Sequence, residues 1–337
     1  MKLLSEILKE ICGVIDAPFD SKKEHSIEKG ISILNGHKRI AVSVSGGSDS
    51  DIMVDLIELL RSYLWGNPEI FYVFFDTGLE YEATKSHLDY LEWRYGVTID
   101  RRKPRKSIPA VCREFGIPFI SKDVSDKINR LQKYGFAWTD SPDEATPEKY
   151  GNCKSALDWF FCRRERDGGG NHFDISRHKY LHEFLKYNPP NFVISEKCCD
   201  YAKKYPASDY NKERNIDLTI TGMRLAEGGR RAGSVKECFT FGKDATNHFR
   251  PLWWWSDVDK ANYKKWREMR YSDCYEVYGL KRTGCVGCPF SSKAEQELKK
   301  VERFEPKLVS AARCIFADSY EYKRRYLDFK AKDGRLI

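Results

Sequence analysis

A short apolar run, Ile40 to Val44, breaks at Ser45-Gly46-Gly47-Ser48-Asp49-Ser50, and Ile52, Met53, Leu56, Ile57 and Leu60 follow at helical spacing. Strand, glycine turn and helix in that order are how an α/β fold builds an anion cradle. The glycines permit positive φ and close approach, and the helix N-terminus offers unpaired N–H groups with a favourable dipole. Ser45 and Ser50 add hydroxyl donors. No Gly-Lys-Ser/Thr follows, so this is not the Walker loop of kinases and GTPases.

A chain of 337 residues, 41% of them hydrophobic, has enough apolar material for one large domain or a domain with a helical appendage. No apolar run approaches membrane-spanning length, and the charged N-terminal segment MKLLSEILKEICGVID reads as an amphipathic helix rather than a signal peptide. A cytoplasmic protein with no membrane partner is expected. The formal charge of +8, with basic runs at 101–106 and at Arg163-Arg164, suits a phosphate-rich ligand. The runs permit nucleic acid without demanding it, and each reads equally well as ordinary solvated surface.

Alternating elements predict a doubly wound parallel sheet with helical N-terminal and C-terminal additions. Strands are expected at 39–44, 70–75, Val97–Ile99 and Asp217–Thr221, with helices at 49–64 and about 81–95. The division is residues 1–36 as N-terminal helices, 37–255 as the nucleotide-binding α/β domain, and 256–337 as a mostly helical region. That last region carries a loop from Thr283 to Phe290. Turn formers at 139–152 and Gly168–Asn171 mark lids or insertions.

The second strand ends in Asp76-Thr77-Gly78, where an acidic residue at a carboxyl edge meets ribose or adenine in nucleotide folds. The fourth strand delivers Gly222, then Arg224, Arg230 and Arg231, whose guanidinium groups bind phosphate or sulfate bidentately. Cys198-Cys199 and Cys285-Val286-Gly287-Cys288 stand out among eleven cysteines. Disulfides are unexpected in a reducing compartment, and clustered thiolates suit an iron–sulfur centre or zinc. The others, including Cys112 and Cys314, read as core fillers or as helix-interior residues.

Ser45 to Ser50 resembles the pyrophosphate loop of the adenine nucleotide α-hydrolase (PP-loop) superfamily. With the Asp-Thr-Gly segment one βα unit later, the chain resembles the phosphoadenosine phosphosulfate (PAPS) reductase family, iron–sulfur-binding branch. The resemblance runs over about 35–325 and includes Pro118–Lys122, Pro251–Asp257 and Lys281–Pro289. It implies an adenine nucleotide held by Ser45, Gly46, Gly47, Ser48, Asp49, Ser50, Asp76, Thr77, Gly78, Gly222, Arg224, Arg230 and Arg231. It implies a [4Fe–4S] cluster on Cys198, Cys199, Cys285 and Cys288, and Mg²⁺ with Asp49 as candidate ligand. Asp49 and Arg224 are the candidate catalytic residues.

The sequence departs from the reductase pattern in two ways. The family's C-terminal Glu-Cys-Gly-Leu-His is missing and no cysteine follows Cys314. The complete SGGxDS is typical of relatives that split ATP between its α and β phosphates. Serine at 48, where sulfur-metabolising relatives often carry lysine, removes one positive charge. The leading expectation is therefore an adenylating enzyme coupled to sulfur transfer, with a thiol or sulfur-donor protein as partner. A sulfonucleotide reductase using Cys314 or a partner's thiol is the second reading. A non-catalytic nucleotide- or nucleic-acid-binding module with a structural metal is the third.

Overall fold

The structure, a computed structural model, describes residues 4–15, 21–163, 174–228, 235–242 and 246–332. Its sheet contains β1 (Arg39–Ser43), β2 (Glu69–Phe75), β3 (Ile99–Arg102), β4 (Leu218–Thr221), β5 (Phe239–Thr240) and β6 (Asn247–Phe249) in the order β3-β2-β1-β4-β6-β5. All pairings are parallel except β5 with β6 at one edge. The fold is α/β with a mostly parallel sheet, as its alternating elements predict.

β1 explains why. Ile40, Ala41 and Val42 are all buried, which requires cover on both faces. Ile40 and Val42 share one apolar cluster with Tyr72, Phe74, Leu218, Ile220 and the helix residues Ile52, Met53 and Leu56. Ala41 and Val73 face the other way, onto Tyr210 and Ile216. Each fully buried Val, Ile or Leu contributes about 1.5–3 kcal/mol, so the strand's position is fixed by apolar contact on two sides.

Two expectations change. β3 is Ile99–Arg102 rather than Val97–Ile99, because pairing with β2 uses backbone groups and tolerates polar side chains at an edge. Arg102 stacks 4.8 Å from the Tyr210 ring and pairs with Glu213 at 2.8 Å. β5 and β6 carry two and three residues, too few to show alternation in sequence.

The chain divides into two compact units, Met1–Arg105 with Lys203–Gly284, and Lys106–Ala202 with Cys285–Ile337. This spatial division differs from the linear one at 36 and 255. The first unit holds the sheet and its helices, including Ser48–Arg61, Glu82–Tyr95, Tyr205–Glu213 and Asp257–Trp266. The second is helical, with a core of Phe119, Trp159, Phe160, Phe184 and Tyr322. Thr146 caps the short helix Pro147–Tyr150 within the expected turn region, while Gly168–Asn171 lies outside the described residues. Among the described residues, no helix is long and apolar enough to cross a membrane.

Candidate functional site

In the first unit, β1 ends at Ser43 and the next helix begins at Ser48. Gly46, at φ +63°, turns the chain where a side chain would meet Thr84. Ser50 ties the loop from inside: its hydroxyl donates to Gly47 O (2.8 Å) and accepts from Gly47 N (3.1 Å) and Ser45 N (3.2 Å). The Ser45 hydroxyl stands 3.1 Å from it. The two serines expected to donate to a ligand therefore also preorganise the loop. Gly222, one residue beyond β4, backs onto the helix start. A Cβ there would stand 2.9 Å from the Asp49 carbonyl carbon and oxygen, so only glycine permits this approach.

The charges converge on Ser48 and Asp49. Asp49 Oδ1 accepts from Arg224 Nε at 2.8 Å and lies 2.5 Å from Lys260 Nζ. Lys260 also donates to Ser48 Oγ at 2.8 Å. Arg224 is buried and fixed on three sides, by Asp49, by Asp257 at 2.8 Å and by Trp255 O at 3.2 Å. Ser256 caps the helix that carries Lys260, accepting from Asp259 N at 3.2 Å while Asp259 accepts from Ser256 N at 2.6 Å. Serine at 48 thus does not leave the loop short of positive charge. A lysine more than two hundred residues later supplies it.

Tyr275 and Thr283 complete the surround; the sequence marks Thr283 only as the start of a loop, and marks neither Tyr275 nor Lys260. Tyr275 accepts from Ser48 N at 3.2 Å, and burial pushes its phenol pKa up. Thr283 Oγ1 lies 3.0 Å from where a Gly47 Cβ would stand. No local pattern assigns any of the three to the glycine–serine loop. Behind the loop, Asp51 is fully buried and hydrogen-bonded to His87 Nε2 at 2.8 Å. Burial raises the Asp51 pKa and His87 opposes that rise.

Asp76 is half-buried at the end of β2 and accepts from Gly78 N at 2.8 Å in an Asx turn. Thr77 is buried and donates to Glu80 at 3.1 Å. The structure thus gives this segment a turn role of its own. Arg230 and Arg231 lie outside the described residues.

The basic run at 101–106 is largely paired. Arg101 bonds Asp89 and Glu92, Arg102 bonds Glu213, Arg105 bonds Asp209, and Lys106 bonds Glu114. Four of its five basic side chains are neutralised within the fold, which favours solvated surface over a nucleic-acid footprint. Arg163 caps carbonyls of Ala145 and Pro142, while Arg164 lies outside the described residues.

The cysteine pairs belong to the second unit. The Cys198 thiol bonds that of Cys199, and this contact and burial push its pKa up. Cys288 N donates to Cys285 O at 3.2 Å, closing the CxxC turn. Gly287, at φ +65°, permits that turn, and Tyr320 donates to its carbonyl. Cys112, expected to be core filler, shares this neighbourhood: burial pushes its pKa to about 12, with Cys288 and Cys199 adding to the rise. Lys323 lies close enough to Cys288 to feel its charge and donates to Ser291 O at 2.7 Å. Burial lowers the Lys323 pKa, with Glu295 and Cys288 opposing. The donor set is soft sulfur, which fits an iron–sulfur cluster or zinc by chemistry. Among the described residues no three His, Cys, Asp or Glu side chains stand at a spacing that would hold a metal ion.

Residues 39–139 match the family described as phosphoadenosine phosphosulfate reductase domain. An uncharacterized protein of Methanocaldococcus jannaschii is 38% identical over 272 residues, 80% of this chain. The chain spans about 40% of that relative's length. Solved structures similar to it include a phosphoadenylyl-sulfate reductase from Candida auris in a phosphate complex, with 12% identity and TM-score 0.43, covering 85% of this chain and 97% of that one. Another is the U34-tRNA thiolase NcsA from Methanococcus maripaludis with its [4Fe-4S] cluster, with 14% identity and TM-score 0.40, covering 91% and 80%. The matched segment holds the loop and Asp76-Thr77-Gly78 but neither cysteine pair.

Proposed function

We propose, from the place of residues 39–139 in the phosphoadenosine phosphosulfate reductase domain family and from the charges around the loop, that this protein binds ATP at Ser45–Ser50 and cleaves it between the α and β phosphates. An acceptor is adenylated in a sulfur-transfer reaction. One observation carries the reading: Lys260 and Arg224 converge on Ser48 and Asp49 at the start of the loop helix.

In this reading the acceptor's nucleophilic atom bonds to the α-phosphorus as the bond to the bridging oxygen breaks, and pyrophosphate leaves with its electron pair. The first-turn N–H groups and the helix dipole receive the phosphates. Lys260, beside Ser48, neutralises charge growing on the departing pyrophosphate, and Arg224 holds Asp49 in place. Mg²⁺, when bound, would be held by the Asp49 carboxylate and would supply Lewis-acid neutralisation of the phosphate oxygens. Cys198, Cys199, Cys285 and Cys288 would hold a [4Fe–4S] cluster by their soft donor chemistry.

The sulfonucleotide reductase is the second reading, favoured by the exposure of the Cys314 thiol. Titrating anaerobically purified protein with ATP, adenylyl sulfate and PAPS in magnesium separates the two. Tightest binding of ATP, with pyrophosphate release that Asp49→Ala abolishes, is expected. Preference for a sulfonucleotide, with sulfite released on adding thioredoxin, would replace the adenylation reading.

A further inference from the structure

The second unit contains a cavity of about 470 Å³ that the nucleotide reading does not use. Its wall includes Cys112 and Arg113 from the helix Ile108–Phe115, Val193 from the segment bridged to Ile117, and Cys314 and Asp318 from the two last helices. Gly116, at φ +108°, lets the Val193 backbone approach closely, since a Cβ there would stand 2.4 Å from Val193 O. The cavity volume falls within the range of about 300–1,000 Å³ usual for small-molecule sites.

Its chemistry is specific. Two of the eleven cysteines line it, Cys314 exposed and Cys112 buried. Cys112 is also a neighbour of Cys199 and Cys288, so one thiol belongs both to the cavity and to the cysteine cluster. Arg113 and Asp318 are exposed and have no ion-pair partner among the described residues. A guanidinium and a carboxylate left unpaired on one apolar-walled cavity match the carboxylate and ammonium of an amino acid.

We infer that this cavity binds a small persulfide of amino-acid type and that the Cys314 thiol accepts its outer sulfur. The Cys314 thiolate attacks the terminal sulfur, a sulfur–sulfur bond forms at Cys314, and the donor's own sulfur–sulfur bond breaks. The donor departs as a thiolate and takes up a proton, leaving a Cys314 persulfide with no net oxidation or reduction. Accessibility selects Cys314 over Cys112 as the first acceptor. The inference rests on the sulfur-transfer half of the proposed function.

The test incubates the full chain with cysteine persulfide, without nucleotide, and follows loading by mass spectrometry. One sulfur atom is expected on the peptide containing Cys314, absent in Cys314→Ser. The loading rate should saturate with donor concentration. Arg113→Ala and Val193→Trp, the latter filling the cavity from an exposed position, should each slow loading at low donor about tenfold while ATP binding stays unchanged. A rate linear in donor and unaffected by both variants would reduce Cys314 to an ordinary surface thiol and overturn the inference. Saturable loading in a protein that binds ATP but never releases pyrophosphate would overturn only the adenylation reading.

Discussion

Lys260 Nζ lies 2.8 Å from Ser48 Oγ, joining the first residue of the loop helix to a helix 212 positions later in the chain. The contact places an ammonium where an anion bound at the helix N-terminus would meet it. Lys260→Met keeps most of the stem and removes the charge. Nucleotide affinity should fall about tenfold or more, with little change in thermal stability. Calorimetric titration with ATP checks this, and unchanged affinity would detach Lys260 from the site.

Gly222 is the contact through which β4 supports the loop. Gly222→Ala puts a methyl group 2.9 Å from the Asp49 carbonyl, and backbone cannot yield as a side-chain tip can. The strain should cost about 1–3 kcal/mol in urea denaturation and weaken nucleotide binding by displacing the helix start. A neutral substitution would mean the helix shifts freely.

The buried pair of Asp51 and His87 predicts strong coupling. His87→Ala takes from a fully buried carboxylate its hydrogen bond to the His87 ring, which should cost about 3–5 kcal/mol. Adding Asp51→Leu should restore part of that loss. A double-variant loss equal to the sum of the losses in His87→Ala and Asp51→Leu alone would show that the pair is not coupled.

His182 predicts acid sensitivity in the second unit. Its ring packs 4.5 Å from Phe160, and burial lowers its pKa below the ordinary 6.5. The folded state therefore prefers the neutral ring. Its contribution is complete above pH 6.5 and is lost as pH falls, because the unfolded chain takes up the proton first. His182→Gln should flatten the dependence of unfolding free energy on pH between about 7 and 5. A slope matching the unsubstituted protein would assign the acid sensitivity elsewhere.

The loop was legible because its chemistry is local. Six consecutive residues fix the turn, the helix start and the hydroxyl donors, and β1 and β2 announce themselves by apolar runs. β3 starts two residues later than its apolar pattern suggests, since an edge strand needs backbone pairing more than apolar side chains. Lys260 and Tyr275 carry no local signal, and Thr283 is marked only as the start of a loop. Each reaches the loop from more than two hundred residues away, and only packing decides that. Cys112 read as filler because burial and proximity to other thiols are invisible in a list of positions.

By itself, the sequence determined the mostly parallel α/β architecture and the glycine–serine turn that leads from β1 into its helix, because short-range residue patterns and hydrophobic periodicity encode them. Only the tertiary structure decided which charges surround the loop, that the basic run is mostly paired, and that Cys112 and Cys314 share a cavity. Those depend on side chains brought together by folding, and Coulomb and hydrogen-bond energies act over ångströms of space rather than along the chain.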